Sequence, residues 1–231
     1  MKIVTNEKYV ARNQKIGKYF LWASLAILGV GLYMSFQPSL MLYSYIALLV
    51  GFVTSQVSVF YTNRIGVKSR VDHKISAALK GLDNKFTLYH FATPVSHLLV
   101  GPAGIWVIMP YHQAGTITYD EKRNRWKQKG GNFFMKLFAQ ESIGRPDYEV
   151  KTAIEDLDRY LIQKLNLQEH PPVQAMLAFY NPNAETQAEN APHPTVLLEK
   201  AKDFFRRVAK ENPVNMEEIK SIQNLLPDSE E

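Results

Sequence analysis

Hydrophobic positions follow one rule before Arg64 and another after it. Between Lys18 and Arg64 lie 45 residues without a charged side chain, divided at Gln37-Pro38-Ser39 into two apolar runs, about 19–36 and 40–61. Neither run carries the polar stripe that a surface helix of a globular domain keeps. Each approaches the ~20 residues that a helix rising ~1.5 Å per residue needs to cross a hydrocarbon core of ~30 Å. The pattern predicts a transmembrane helical hairpin over 19–63. With no ionisable group inside either run, a transporter, proton channel or intramembrane hydrolase has no side chains to work with, so the hairpin reads as an anchor. Ala47, Gly51 and Ser55 recur every four positions in the second run, a spacing that lets another helix approach closely where lipid gives no hydrophobic drive. Their partners are Ala23, Ala26 and Gly29 of the first run or, in the alternative, a second copy of the chain as a homo-oligomer. Tyr19, Phe20, Trp22, Tyr43, Tyr45, Phe60 and Tyr61 lie mostly towards the run ends, as an interfacial belt does.

After Arg64 the period changes to that of a packed domain. Val71, Ile75, Ala78, Leu79 and Leu82 have helical spacing, closed by Gly81 and Asp83-Asn84. Three short runs follow, 86–91, 97–100 and 105–109, separated by Thr93-Pro94 and by Gly101-Pro102-Ala103-Gly104, and they read as a strand meander. Residues 116–119 and 126–128 flank a polar stretch as a further hairpin, and Gly130-Gly131 marks a loop. A long helix over 146–167, a buried strand over 173–179, a polar Pro-rich loop over 181–194, a short strand over 195–198 and helices over 200–210 and 216–226 complete the order. The expectation is an α/β fold with a central mixed β-sheet flanked by helices. Four segments result: a basic N-terminal segment 1–18, the hairpin 19–63, an α/β domain 64–212, and a C-terminal helix with an acidic tail 213–231.

Composition narrows the chemistry. The chain has no cysteine, which excludes disulfides, thiolate zinc sites and cysteine nucleophiles. Its net charge of +5 is unevenly placed: residues 1–61 and 62–80 each carry +4, whereas 81–231 carry −3. Basic residues thus flank both outer ends of the hairpin and are absent from its turn, which predicts N- and C-termini in the cytoplasm. The same flanks can attract anionic lipid, at ~1 kcal/mol per Lys or Arg near the surface.

The stretch from Ser96 to Ile108, with its Gly101-Pro102-Ala103-Gly104 turn, resembles the nuclease-related domain (NERD) family of the PD-(D/E)XK nuclease-like fold. Gly115 and Trp126 with its basic neighbours match as well, and the resemblance covers about residues 66–210. It implies a helix bearing an acid, an Asp-His strand, the turn, and a strand ending in Glu-x-Lys around a divalent cation, usually Mg²⁺. Asp72 keeps the helix acid. Ser96 stands where the family has its metal-binding Asp, and Met109-Pro110-Tyr111 stands where it has Glu-x-Lys. A thioether and a phenol cannot replace hard oxygen ligands and a lysine. The resemblance therefore implies a nuclease-type scaffold whose metal site is filled in, with no metal or other cofactor.

Three further constellations stand apart from that set. Lys122, Arg123, Arg125, Trp126, Lys127 and Lys129, followed by Phe133, Phe134 and Lys136, interleave cations and aromatics as single-strand nucleic-acid grooves do; a lipid-facing or solvated surface and a protein contact give the same pattern. His97 and His112 with Asp120 or Glu121 are suitable zinc ligands in type, without diagnostic spacing. Ser96 and His97, adjacent on a strand, point to opposite faces and cannot form a nucleophile–base pair. The sequence thus predicts an integral protein of a bacterial inner (plasma) membrane whose cytoplasmic domain is a non-catalytic binding or scaffolding module for a protein partner. The alternatives are a nuclease with ligands displaced to Asp72, Asp120 or Glu121, and a structural subunit of a membrane complex.

Overall fold

The computed structural model describes residues 1–65, 70–131 and 143–228. It divides into two compact units, Asn6–Val71 and a second one formed by Met1–Thr5 together with Asp72–Glu231.

The first unit is an antiparallel helical hairpin. Helix α1 spans Glu7–Ser35, α2 spans Met41–Ile65, and a short 3₁₀ turn at Pro38–Leu40 joins them. Asn6 caps α1, its side-chain oxygen accepting the Tyr9 N–H at 2.9 Å. The seam repeats every seven residues: Gly17, Ser24 and Gly31 of α1 are buried, as are Ser44, Gly51 and Ser58 of α2. Seven-residue spacing keeps a seam facing its partner along a left-handed helix pair. At its two ends the hydroxyls of Ser44 and Ser58 cross between helices, donating to the carbonyls of Gly31 (2.8 Å) and Gly17 (3.0 Å). At its centre a Cβ on Gly51 would come within 2.7 Å of Leu28. This corrects the four-residue stripe expected from sequence. Gly51 lies in the seam and Ala47 beside Gly31, whereas the Ser55 hydroxyl turns back to the Phe52 carbonyl. The facing residues are Ile27, Leu28 and Gly31, while Ala23, Ala26 and Gly29 are exposed. Almost every large apolar side chain outside the seam faces outwards, among them Trp22, Phe36, Leu42 and Phe52.

The second unit is a mixed α/β domain. Strands β1 (Lys2–Thr5), β2 (Thr87–His90), β3 (His97–Gly101), β4 (Gly104–Tyr111), β7 (Val173–Phe179) and β9 (Thr195–Leu197) form one sheet in the order β1-β2-β3-β4-β7-β9. Only β3 runs against the others. Strands β6 (Arg125–Lys129), β5 (Gly115–Asp120) and β8 (Ala184–Gln187) form a second, three-stranded sheet. Helices α4 (Pro146–Leu165) and α6 (Met216–Leu225) cover one face of the larger sheet: Val150, Leu157, Leu161, Ile219 and Ile222 share a buried cluster with Tyr89, Leu98, Val100, Ile105 and Val107. The opposite face carries α3 (Val71–Ala78) and α5 (Ala201–Glu211), whose Phe205 ring meets Trp106 edge-on at 5.6 Å.

Two elements differ from expectation. Residues 2–5, read as part of a basic segment, are an edge strand paired in parallel with β2, with Val4 in the core. Residues 184–187, read as loop, pair in parallel with β5. Both are only four residues long, and their partners lie far along the chain, so no local period reveals them. The Gly101–Gly104 turn follows from contact geometry. A Cβ on Gly101 would clash with the Phe86 ring, and Gly104 has φ +100°, which favours glycine.

Candidate functional site

In open α/β sheets, ligands bind outside the carboxyl ends of the strands. Here that edge collects His90 at the end of β2, Tyr111 at the end of β4, Phe179 at the end of β7, and His97 at the start of the reversed β3. His90 and His97 lie opposite each other in register. Alternation along β2 and β3 sends them to the face of α3, away from Tyr89 and Leu98.

On that face the two imidazoles are buried and joined, Nδ1 to Nδ1, at 2.8 Å. His90 Nε2 lies 2.9 Å from the hydroxyl of Ser76, the partly exposed member of the chain, on α3. One turn earlier Asp72 is 3% exposed and its Oδ2 lies 3.8 Å from His73 Nε2. Phe91, next after His90, has φ +56° and sets its ring edge-on to His97 at 5.2 Å. A bulky residue in the left-handed region is a strained backbone feature.

The other face holds a different set. Tyr111 stacks on Phe179 at 5.3 Å and donates a 2.7 Å hydrogen bond to Glu149 in the first turn of α4. Burial, then the Glu149 hydrogen bond, then the charges of Glu149 and Asp147 push the Tyr111 phenol far above its ordinary value. Trp126 Nε1 donates to Asp147 at 2.9 Å, also in that turn. Burial lowers the His193 pKa, and the Asp147 charge partly opposes it.

No family model, curated protein or solved structure matches this chain. Met109 and Tyr111 alternate to the α4 face. Asp72 belongs to α3 on the His90 face, so the sheet lies between Asp72 and the Met109–Tyr111 pair. Ser96 precedes β3, where its carbonyl accepts the Phe91 N–H at 2.9 Å. The suggested zinc set does not converge: His97 joins His90, and Asp120 accepts from Lys127 at 2.7 Å. Among the described residues, no three His, Asp or Glu side chains are placed to hold a metal ion.

The basic run forms the β5–β6 hairpin. Lys122 and Arg123 sit at its tip, and Arg125, Lys127 and Lys129 are exposed on the outer face of the small sheet. Trp126 alternates inwards, is 9% exposed and meets Tyr119 edge-on. This corrects the reading of Trp126 as a surface stacking group among the cations, because an indole with its N–H on Asp147 and its ring in the core has no free face for a base or lipid. Phe133, Phe134 and Lys136 lie outside the described residues.

Sequence reasoning missed Ser76, His90 and Glu149. Glu149 carried a legible signal, as an acid in the first turn of a helix opened by Pro146. Ser76 and His90 carried none, being one helical and one strand residue 14 apart.

Proposed function

We propose that the chain is a membrane-anchored module, facing the cytoplasm, that acts by binding or scaffolding at the bilayer and not as a metal-dependent nuclease. The observation that carries this reading is Tyr111: the position at which the NERD resemblance implies a lysine holds a buried phenol, stacked on Phe179 and bonded to Glu149. A water-activating ammonium is replaced by a neutral group with its hydrogen bond satisfied, and Asp72 stands on the opposite face of the sheet.

Two observations support the anchor. Both hairpin helices are long and apolar enough to span a bilayer and are mostly unburied, unlike the core helices of a soluble domain. Their outward apolar surface far exceeds the few hundred Å² that soluble monomers tolerate as a patch. A strand pairing supports placing both flanks on one side. Residues before the hairpin (β1) and after it (β2) pair in one sheet, so both flanks belong on the same side of any membrane that the hairpin crosses. The basic flanks then favour the cytoplasmic side.

The test uses the full chain in detergent with Mg²⁺ or Mn²⁺ and fluorescent single-stranded and duplex DNA. We expect no metal-linked stabilisation and no cleavage. Metal-dependent cleavage abolished by Asp72→Ala would establish the nuclease alternative instead. For topology, the cysteine-free chain accepts single probes at Ile3→Cys and Lys202→Cys. Both should resist an impermeant maleimide in intact cells and react in inverted vesicles, and opposite accessibility would refute the same-side arrangement.

A further inference from the structure

We propose that Ser76 is the nucleophile of an acyl-transfer site, with His90 as its general base and His97 as the residue that positions His90. This goes beyond the scaffolding reading and is independent of it, since the site lies on the sheet face opposite Met109 and Tyr111.

An activated serine requires a hydroxyl within hydrogen-bond reach of a base that is itself oriented by a third group. Ser76 Oγ is 2.9 Å from His90 Nε2, and His90 Nδ1 is 2.8 Å from His97 Nδ1. Burial grades along this chain in the direction that catalysis needs: His97 and His90 are 3% and 1% exposed, and Ser76 alone of the three reaches the surface. The base is thus shielded, while the residue that carries the nucleophile is partly exposed. The Nδ1–Nδ1 contact holds one shared proton. When that proton resides on His90, His90 Nε2 presents its lone pair to the Ser76 hydroxyl, and His97 Nδ1 accepts from His90 in the place that a carboxylate takes in a serine triad. Two independent features mark the same place as functional. It lies at the carboxyl edge of the parallel strands, and it is bordered by Phe91 in the left-handed backbone region, an outlier of the kind that concentrates at active sites.

The substrate class is a carboxylic ester or thioester. Ser76 Oγ bonds to the carbonyl carbon as the C=O π electrons move to oxygen, and the Oγ proton passes to His90 Nε2. Collapse of the adduct re-forms the C=O and breaks the bond to the leaving alcohol or thiol, which takes the proton from His90. Water then repeats the sequence on the acyl-serine, with His90 as base and acid, releasing the carboxylic acid and restoring Ser76.

The experiment treats the full chain in detergent with a fluorescent fluorophosphonate, which phosphonylates activated serines with loss of fluoride. We expect a single modified peptide containing Ser76, no labelling in Ser76→Ala, and a rate lower by about 10²-fold in His90→Gln, the scale of general-base assistance. The wild-type rate should rise with pH, as assistance by a general base requires, and His97→Asn should move the midpoint of that profile. A second readout does not depend on the histidine variants folding. Because the protein has no cysteine, Ser76→Cys introduces the only thiol. Iodoacetamide should alkylate it with an apparent pKa below the ~8.5 of a free cysteine, as beside an imidazole base. Labelling that persists in Ser76→Ala, a folded wild type that does not label, or an apparent thiol pKa at or above ~8.5 would overturn the proposal.

Discussion

Tyr111 ends β4 as a buried phenol, stacked on Phe179 and bonded to Glu149. A charged pair at Met109 and Tyr111 would have needed a metal or a counter-ion to be tolerated near the core. A phenol needs only one acceptor, and Glu149 reaches in from α4 to supply it. Tyr111→Phe should therefore cost about 1 kcal/mol, the net worth of one hydrogen bond, with little added cavity penalty because the ring stays on Phe179. It should also change the alkaline limb of the stability curve. The folded chain holds the Tyr111 proton more tightly than the unfolded chain does, for the unfolded phenol titrates near its ordinary ~10. Stability is then fully present below pH ~10 and falls above it, as the unfolded chain releases a proton that the folded chain keeps. Tyr89, pushed up to about 12 mainly by burial, contributes in the same sense. Denaturant unfolding of the full chain in detergent at pH 8, 10 and 11 should show a shallower alkaline decline for Tyr111→Phe than for wild type. Parallel declines would mean that the Tyr111 phenol is not held in its buried, hydrogen-bonded site.

Among the elements, the hairpin seam shows what a local pattern conveys. That two long apolar helices exist was legible from the absence of charge over 45 residues. Which residues face each other was not, because small residues are scattered through both runs and a period of four and a period of seven share Gly51. Pairing chose the period of seven, which alone keeps Gly17, Ser24 and Gly31 opposite Ser58, Gly51 and Ser44 along both helices. The energetic order of substitutions follows. Ser44→Ala and Ser58→Ala each remove one interhelical hydrogen bond, of the ~0.6 kcal/mol typical inside membranes. The two sites are 14 residues apart on α2, about 20 Å at helical rise, so their effects should add. Gly51→Ile forces a branched side chain into a gap where even a Cβ would lie 2.7 Å from Leu28, and it should destabilise the pair more than both serine variants together. Unfolding in mixed micelles of increasing SDS content ranks all three. An unchanged midpoint for Gly51→Ile would show that the helices do not meet along this seam.

At the scale of the whole molecule, the hairpin is an insertion between the first and second strands of one sheet. Removing residues 1–71 to obtain a soluble domain also removes β1, and with it the Lys2 N–H bond to the Phe86 carbonyl at 2.9 Å and the buried Val4. Burying a valine is worth about 1.5–3 kcal/mol, a large share of a marginal fold. A fragment of residues 72–231 should therefore unfold at lower urea than a variant in which a flexible Gly/Ser linker replaces residues 6–71 and keeps β1. Equal midpoints would mean that β1 is dispensable. The sequence by itself determined the two long apolar helices, the α/β class, most other helices and the central strands, because each is written in a contiguous period of charge or hydrophobicity. It also pointed to the Met109–Tyr111 strand, whose thioether and phenol are not the hard oxygen ligands that a Mg²⁺ site takes. Only the tertiary structure decided that β1 and β8 are strands, that Asp72 and Tyr111 lie on opposite faces, that Trp126 points inwards, and that Ser76, His90 and His97 form one chain. Each of these depends on a partner distant in sequence or on the side of the sheet that a helix covers, and hydrophobic periodicity records only that a side chain is buried, never against what.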